Sequence, residues 1–379
     1  MSKTLVIILS ETRAHELTFD NFKKNVIDEL GADLCICIGT PANYDTSNPY
    51  YKLAKYRYLY NEPNDFGEAF DYAYEILTKG RPKYEKLENV NALYGKLSYP
   101  QQVVSDVKYY GTNMGIDINT LETEEKEEIV VHENSFPNVI WRNKVFGIKD
   151  SSPYNGVVQQ GVTSYKRPLH WREFLKIKNQ FLGGIHDANN QHLGSAGILI
   201  FFRWFLLKNL LEKNTINAYD RFIITRSDFM YQLPHPKMEL MNKDFIWIPD
   251  GQQYGGFTDR HVVLSKKNIV QYLNILNNMV TRSNEYFTGM KAHNEWNLEQ
   301  LISFHLGKNN VIQQVKLFPY IMYLVRNIDG PTRWQKGVYS EEFGYFIKYP
   351  MEYSTSTHYK NLFGTSGRTP DEFYASLLR

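Results

Sequence analysis

The chain has 379 residues, 42% of them hydrophobic, and its 43 basic and 41 acidic residues leave a formal charge of +2. That length and apolar content permit two domains or one large α/β unit with insertions. The near-balance of charge excludes a general nucleic-acid or anionic-membrane binder and leaves room for a local anionic ligand.

Thr4 to Leu9 reads as a buried strand, followed by SETRAHELT and an amphipathic helix from about Phe19 to Leu30. Phe22, Val26, Ile27 and Leu30 share one face of that helix at helical spacing, and Gly31 stops it. Ala32 to Ile38 then forms a second strand, ending at Gly39. A strand–helix–strand opening of this length predicts an α/β domain with a mostly parallel sheet. Cys35 and Cys37, the only cysteines, fall on one face of the second strand and read as small core hydrophobes in a reducing compartment. The first apolar run is too short for a secretory signal, and no later run approaches the length that crosses a membrane. The expectation is a soluble, cytoplasmic protein.

GTPANYDTSNPYY predicts a loop, and DFGEAFDYAYEILT a helix from about Asp65 to Thr78. Residues 80–165 carry the acidic run LETEEKEEIV with much Pro, Gly and Asn, the pattern of an insertion or acceptor-side region. GSAGILIFFRWFLLKNLLEKN is a strongly apolar helix opened by Gly194, Ser195 and Gly197. Small residues there suit either an anion at the free amides or tight packing. Strands follow at FIITRSD and FIWIP, then the loop DGQQYGGFTDRH, then VVLSKKNIVQYLNILNNMV, a strand becoming a helix. A helix over Asn294 to Leu306 and a strand over Val311 to Phe318 come next. The domain is expected to span 1–330, with 331–379 an aromatic, irregular C-terminal extension packed on it.

Two stretches carry candidate chemistry. In YDRFIITRSDFMY a buried strand runs into Arg226, Ser227 and Asp228. Alternation places Arg226 and Asp228 on one side and Ser227 on the other. A carboxylate at the tip of such a strand sits where ligands bind in open α/β sheets. It is a hard oxygen ligand suited to Mg²⁺ or Mn²⁺, and Arg226 could hold diphosphate, touch a ribose hydroxyl or simply fix the carboxylate. In GGFTDRHVV, Gly255 and Gly256 would let the backbone approach a ligand just before Asp259. His261 reads as structural. No phosphate-cradling GxxxxGK[ST], no GxGxxG and no GxSxG elbow is present.

SETR, YDRFIITRSDFMY and IWIPDGQQYGGFTDRHVV together resemble glycosyltransferase-like proteins of the GT-A fold found in large DNA viruses and algae. The resemblance covers roughly residues 4 to 40 and 193 to 306. It implies a GT-A-like mixed, mostly parallel central sheet flanked by helices. It also implies transfer of a sugar from a nucleotide-diphosphate donor to a glycan or protein acceptor, with no nucleic-acid partner. Asp228 matches the second carboxylate of the metal-binding triplet, for Mn²⁺ or Mg²⁺. Arg226 stands where the first carboxylate would be, a departure that leaves metal dependence open. Ser10, Glu11 and Arg13 match the first-strand loop that holds the nucleotide. The resemblance makes Asp259 the first candidate for the base that deprotonates an acceptor hydroxyl, and Glu295, in HNEWNLE, is the second. An ion pair with Arg260 is the ordinary role for Asp259, and helix capping for Glu295. A catalytically inactive sugar-binding module and a nucleotidyltransferase are the competing classes.

Overall fold

Leu5, Val6, Ile7 and Ile8 are each fully buried in the first strand, β1 (Thr4–Ser10). A continuous apolar run of this kind belongs to a strand covered on both faces, where each such side chain contributes about 1.5–3 kcal/mol by leaving water. The computed structural model describes residues 2–79, 85–87, 164–166, 168–177, 182–185, 194–292, 296–329, 332 and 335–378. They divide into two units. The first comprises residues 1–73, 178–277 and 294–379, the second residues 74–177 and 278–293.

In the first unit, β1 leads into α1 (His15–Phe22), which continues as a π-helical turn over Lys23–Asp28. This helix starts four residues earlier than its apolar spacing predicts. The extra turn is anchored by a polar group, since the buried Thr18 hydroxyl donates to the Ser227 carbonyl at 2.6 Å. β2 (Asp33–Thr40) lies parallel to β1 with Ile7 opposite Cys35, and both cysteines are buried free thiols. The stretch expected to be loop contains α2 (Pro49–Leu53), begun by Pro49 and capped by the Asn48 side chain. β3 (Tyr56–Asn61) follows as an edge strand whose mixed exposure hid it from an apolar-run reading. After α3 (Phe66–Thr78), residues 80–84 and most of the expected insertion, including the acidic run, lie outside the described residues.

The second unit holds an antiparallel pair, β4 (Glu85–Leu87) and β5 (Ser164–Lys166). It also holds a 3₁₀ turn over Trp171–Lys176, where Phe174 meets Phe287 edge-on at 5.8 Å.

Back in the first unit, α4 (Ala196–Glu212) is apolar on every face and accordingly buried along most of its length. Then come β6 (Arg221–Thr225), β7 (Phe229–Tyr231), β8 (Ile246–Asp250) and β9 (Val262–Ser265). Helix α5 (Ile269–Leu273) follows; α6 (Ile275–Thr281) falls mostly, and α7 (Ser283–Lys291) wholly, in the stretch of the second unit over residues 278–293, and α8 (Leu298–Lys308), β10 (Val315–Pro319) and β11 (Met322–Arg326) belong to the first. The central sheet has seven strands in the order β10-β8-β9-β6-β1-β2-β3, and every neighbour is parallel except at β9. This is the mixed, mostly parallel sheet flanked by helices that the opening strand–helix–strand unit predicts.

The C-terminal stretch corrects an expectation. In place of an irregular tail it forms β12 (Val338–Ser340), β13 (Tyr345–Ile347), α9 (Pro350–Ser366) and α10 (Pro370–Leu377). β12, β13, β11 and β7 make a second, antiparallel sheet. Helix α9 escapes pattern reading because its buried positions are Glu352 and Ser356, so no apolar stripe marks it. Helix α10 does carry a signature, Thr369 and Glu372 in a reciprocal capping box around Pro370. Among the described residues, no helix is long and apolar enough to cross a membrane.

Candidate functional site

β1 has β2 on one side and β6 on the other, so the chain reverses its direction of winding between β1 and β6. Loops leaving the carboxyl ends of two such strands diverge and open a crevice. Ser10 to Arg13 leaves β1 there, and Arg226 to Asp228 leaves β6 beside it. Ser227 joins the two loops, its Oγ lying 3.1 Å from the Glu11 carbonyl and 3.0 Å from the Arg13 carbonyl. Its own carbonyl accepts from Tyr50 Oη at 2.9 Å. Arg226 and Asp228 meet not through strand alternation, since β6 ends at Thr225, but through the turn that follows it.

Asp228 is 1% exposed and wrapped in guanidinium groups. Arg226 donates to it in fork geometry, Nε to Oδ1 and Nη2 to Oδ2, both at 2.9 Å. Arg326 Nη1 donates to Oδ2 at 2.5 Å, and Arg13 Nε lies 3.9 Å from the same oxygen. Burial pushes this carboxyl up, but the Arg226, Arg326 and Arg13 charges overcome it and hold the group well below the usual carboxylate range. Arg13 pairs in turn with Glu11.

As arranged here, Asp228 and its neighbours do not suit a divalent cation. Hard cations bind through several oxygens, usually more than one of them charged. Here one carboxylate has both oxygens taken by arginines, and an arginine, Arg226, stands two residues before it where another acid would be needed. Among the described residues no three His, Cys, Asp or Glu side chains group as a metal site.

The second sheet delivers two further cations that the sequence reading missed. Arg326 ends β11, and Lys348 follows β13 directly. Lys348 is 8% exposed, and among the described residues its amine has no carboxylate within 4 Å. Burial and the Arg326 and Arg226 charges push the amine down to about 6. Lys348 and Arg226 line two cavities at once. The smaller, about 50 Å³, is bounded by Ser10, Glu11, Arg13 and Glu62, while the larger, about 280 Å³, is bounded by Asp259, Arg260, Glu299 and Tyr349.

The larger cavity owes its acidic wall to the reversed strand. Because β9 runs against its neighbours, the β8–β9 loop crosses the same sheet edge as Arg226 and carries Asp259 there. Arg203, fully buried in α4, fixes the loop by donating from Nη2 to the Asp259 carbonyl at 2.8 Å. Asp259 lies 3.6 Å from Arg260, the ion pair that is its ordinary role, and still lines the cavity. Opposite in sequence but adjacent in space is Glu299, on the first turn of α8, with Arg260 Nη2 at 3.5 Å. Burial and the neighbouring Asp259 charge raise its carboxyl to about 7. Arg260 is itself held by Glu352 at 2.7 Å, a buried carboxylate that also accepts from Tyr320 and the Leu324 amide.

The glycine pair has a different purpose from the one expected. A Cβ on Gly256 would stand 2.0 Å from the Glu299 carbonyl oxygen, and Phe257 N donates to that oxygen at 3.1 Å. Gly256 therefore lets the loop dock on the start of α8, not on a ligand, and Gly255 adopts φ +81° beside Gln300. Gly197 serves packing likewise, a Cβ there meeting the Leu182 and Gly183 carbonyls at 3.0 Å, whereas Gly194 and Ser195 line the larger cavity. His261 is buried against His235 and Thr225 and kept neutral by burial. Glu295 lies outside the described residues.

The structure thus brings Ser10, Glu11, Arg13, Arg226, Asp228 and Asp259 to one sheet edge. Arg326 and Glu299 had weak signals in the sequence. Arg326 ends an apolar run as Arg226 does, and Glu299 follows a capping asparagine, Asn297.

No family model matches the chain. No curated protein matches it. Among solved structures it is similar to the apo form of mouse xyloside xylosyltransferase 1, at 6% identity and a TM-score of 0.30 over 84% of this chain and 85% of that one. A likeness at that level decides nothing about this chain's chemistry.

Proposed function

We propose that the chain is a glycosyltransferase of GT-A-like architecture, moving a sugar from a nucleotide-diphosphate donor to a hydroxyl of a glycan or protein acceptor. The observation that carries this reading is a single cavity with cations on one wall and a carboxylate pair on the other, set at the carboxyl ends of parallel strands. Sugar transfer needs those two parts. The bond from the anomeric carbon to the diphosphate oxygen breaks, and its electron pair leaves with the diphosphate. Arg226, Arg13 and Lys348 would stabilise that charge. The acceptor oxygen bonds to the anomeric carbon and gives up its proton, and Glu299 beside Asp259 would receive it. A carboxyl raised to about 7 is poised to take a proton near neutral pH.

A panel of nucleotide sugars, screened by thermal shift and then by chromatography of released nucleoside diphosphate, tests the proposal. A donor at a hundred times its dissociation constant should stabilise the fold by about 2.7 kcal/mol. Stabilisation by one donor together with its hydrolysis or transfer is the expected result. Stabilisation without turnover would make the chain a binding module instead, and no response to any donor would overturn the reading.

A further inference from the structure

Where the resemblance would place the first acid of a metal-binding triplet stands Arg226, and further cations surround the remaining acid, Asp228. Arg226 forks onto Asp228, Arg326 takes the same carboxylate at 2.5 Å, and Arg13 lies 3.9 Å away. Lys348 adds a buried amine at the junction of both cavities, with no carboxylate within 4 Å among the described residues, which an entering anion would hold in its charged form. Asp228 and Glu11 each offset one arginine, which leaves the Lys348 amine as the group an anion would engage.

We propose that this site binds the diphosphate of its donor without a divalent cation, with Arg13, Arg226 and Lys348 as the contacts and Asp228 and Arg326 as the residues that position Arg226. The proposal rests on the donor reading above and specifies how that donor is held. A divalent ion normally bridges diphosphate oxygens and neutralises the leaving charge. Two arginines and a lysine supply the same neutralisation with fixed hydrogen-bond donors. Asp228 then has the task of orienting arginine forks. The carboxylates of Glu11 and Glu62 also line the smaller cavity, and there they suit hydroxyl donors, not phosphate oxygens.

Calorimetric titration of the full chain with inorganic pyrophosphate, once in EDTA and once with Mn²⁺, tests this directly. The expected result is binding in EDTA with an affinity within about threefold of that in Mn²⁺. Lys348→Met should weaken it by about tenfold or more, the scale of a lost hydrogen bond to a charged group, and Lys348→Arg should restore much of it. Circular dichroism on both variants checks that the fold is intact. Binding only with Mn²⁺ would overturn the inference while leaving the transferase reading in place. Binding in EDTA with no turnover of any nucleotide sugar would leave the inference and defeat the transferase reading. Equal binding by the parent and both variants would remove Lys348 from the site, and binding in neither medium would overturn the proposal.

Discussion

Arg326 Nη1 donates to Asp228 Oδ2 at 2.5 Å, joining the last residue of β11 to the turn after β6 across 98 positions of sequence. The contact is reinforced by the backbone, for the Asp228 carbonyl accepts from Val325 N at 2.9 Å. Asp228 is therefore the hinge pin between the parallel sheet and the antiparallel one, as well as the anchor of an arginine cluster. Removing one partner of such a buried group leaves the others uncompensated. Asp228→Ala should lose about 3–5 kcal/mol of stability in urea unfolding. A loss under about 1 kcal/mol would show that the cluster is solvated and the anchor dispensable.

Glu299 gives a pH prediction for activity. The acid form predominates below about 7, so a group that must accept a proton is disabled there. If the chain transfers sugar, kcat/KM should rise with pH through about 7. In Glu299→Gln turnover should fall by a factor on the order of 10² or more and the rising limb should disappear. Asp259→Asn should also shift the limb, to lower pH, because the Asp259 charge helps to raise Glu299. An unchanged limb in Glu299→Gln would move the assignment to another group.

Lys348 sets the sign of a stability profile. Its folded-state value, about 6, lies below its ordinary value of 10.5, so between the two the unfolded chain binds the extra proton. Stability must then rise with pH across that window, by at most about 1.4 kcal/mol per unit from this one group. Urea unfolding of the parent and Lys348→Met at several pH values isolates the contribution. The difference in stability between variant and parent should shrink as pH rises, and a difference independent of pH would show that the amine is not buried as a charge.

Gly256→Ala is expected to damage the loop that carries Asp259. Its Cβ would fall 2.0 Å from the Glu299 carbonyl oxygen and 2.1 Å from its carbon, which are backbone atoms of α8 and cannot swing aside. Loss of stability of about 1–3 kcal/mol, the scale of overpacking, and displacement of both carboxylates should follow together. Thermal unfolding alongside donor turnover measures the two effects. A variant as stable as the parent would mean that the loop does not dock on α8.

How far the sequence reaches can be judged residue by residue. It determined the framework by itself wherever burial was two-sided. Leu5 to Ile8 and Phe222 to Ile224 are short unbroken apolar runs of the kind that strands inside a covered sheet use. It also marked Arg226 and Asp228, because charged residues directly after a buried strand stand out against it, whereas Arg13 entered only through the resemblance of the first-strand loop. Elements with one exposed face or a polar buried face left no such trace. β3 shows mixed exposure, and α9 buries Glu352 and Ser356 instead of a hydrophobic stripe. The tertiary structure alone decided which charges meet. Which further cation joins Arg226 at Asp228 depends on Arg326, which arrives from a strand 98 residues away. Whether Gly256 faces a ligand or a helix depends on where α8 docks. Pairing of this kind is set by sheet order and strand direction, and the reversed β9 is what turns Asp259 toward Arg226. Local propensity carries no record of either, since the free energy that fixes them comes from contacts between segments distant in the chain.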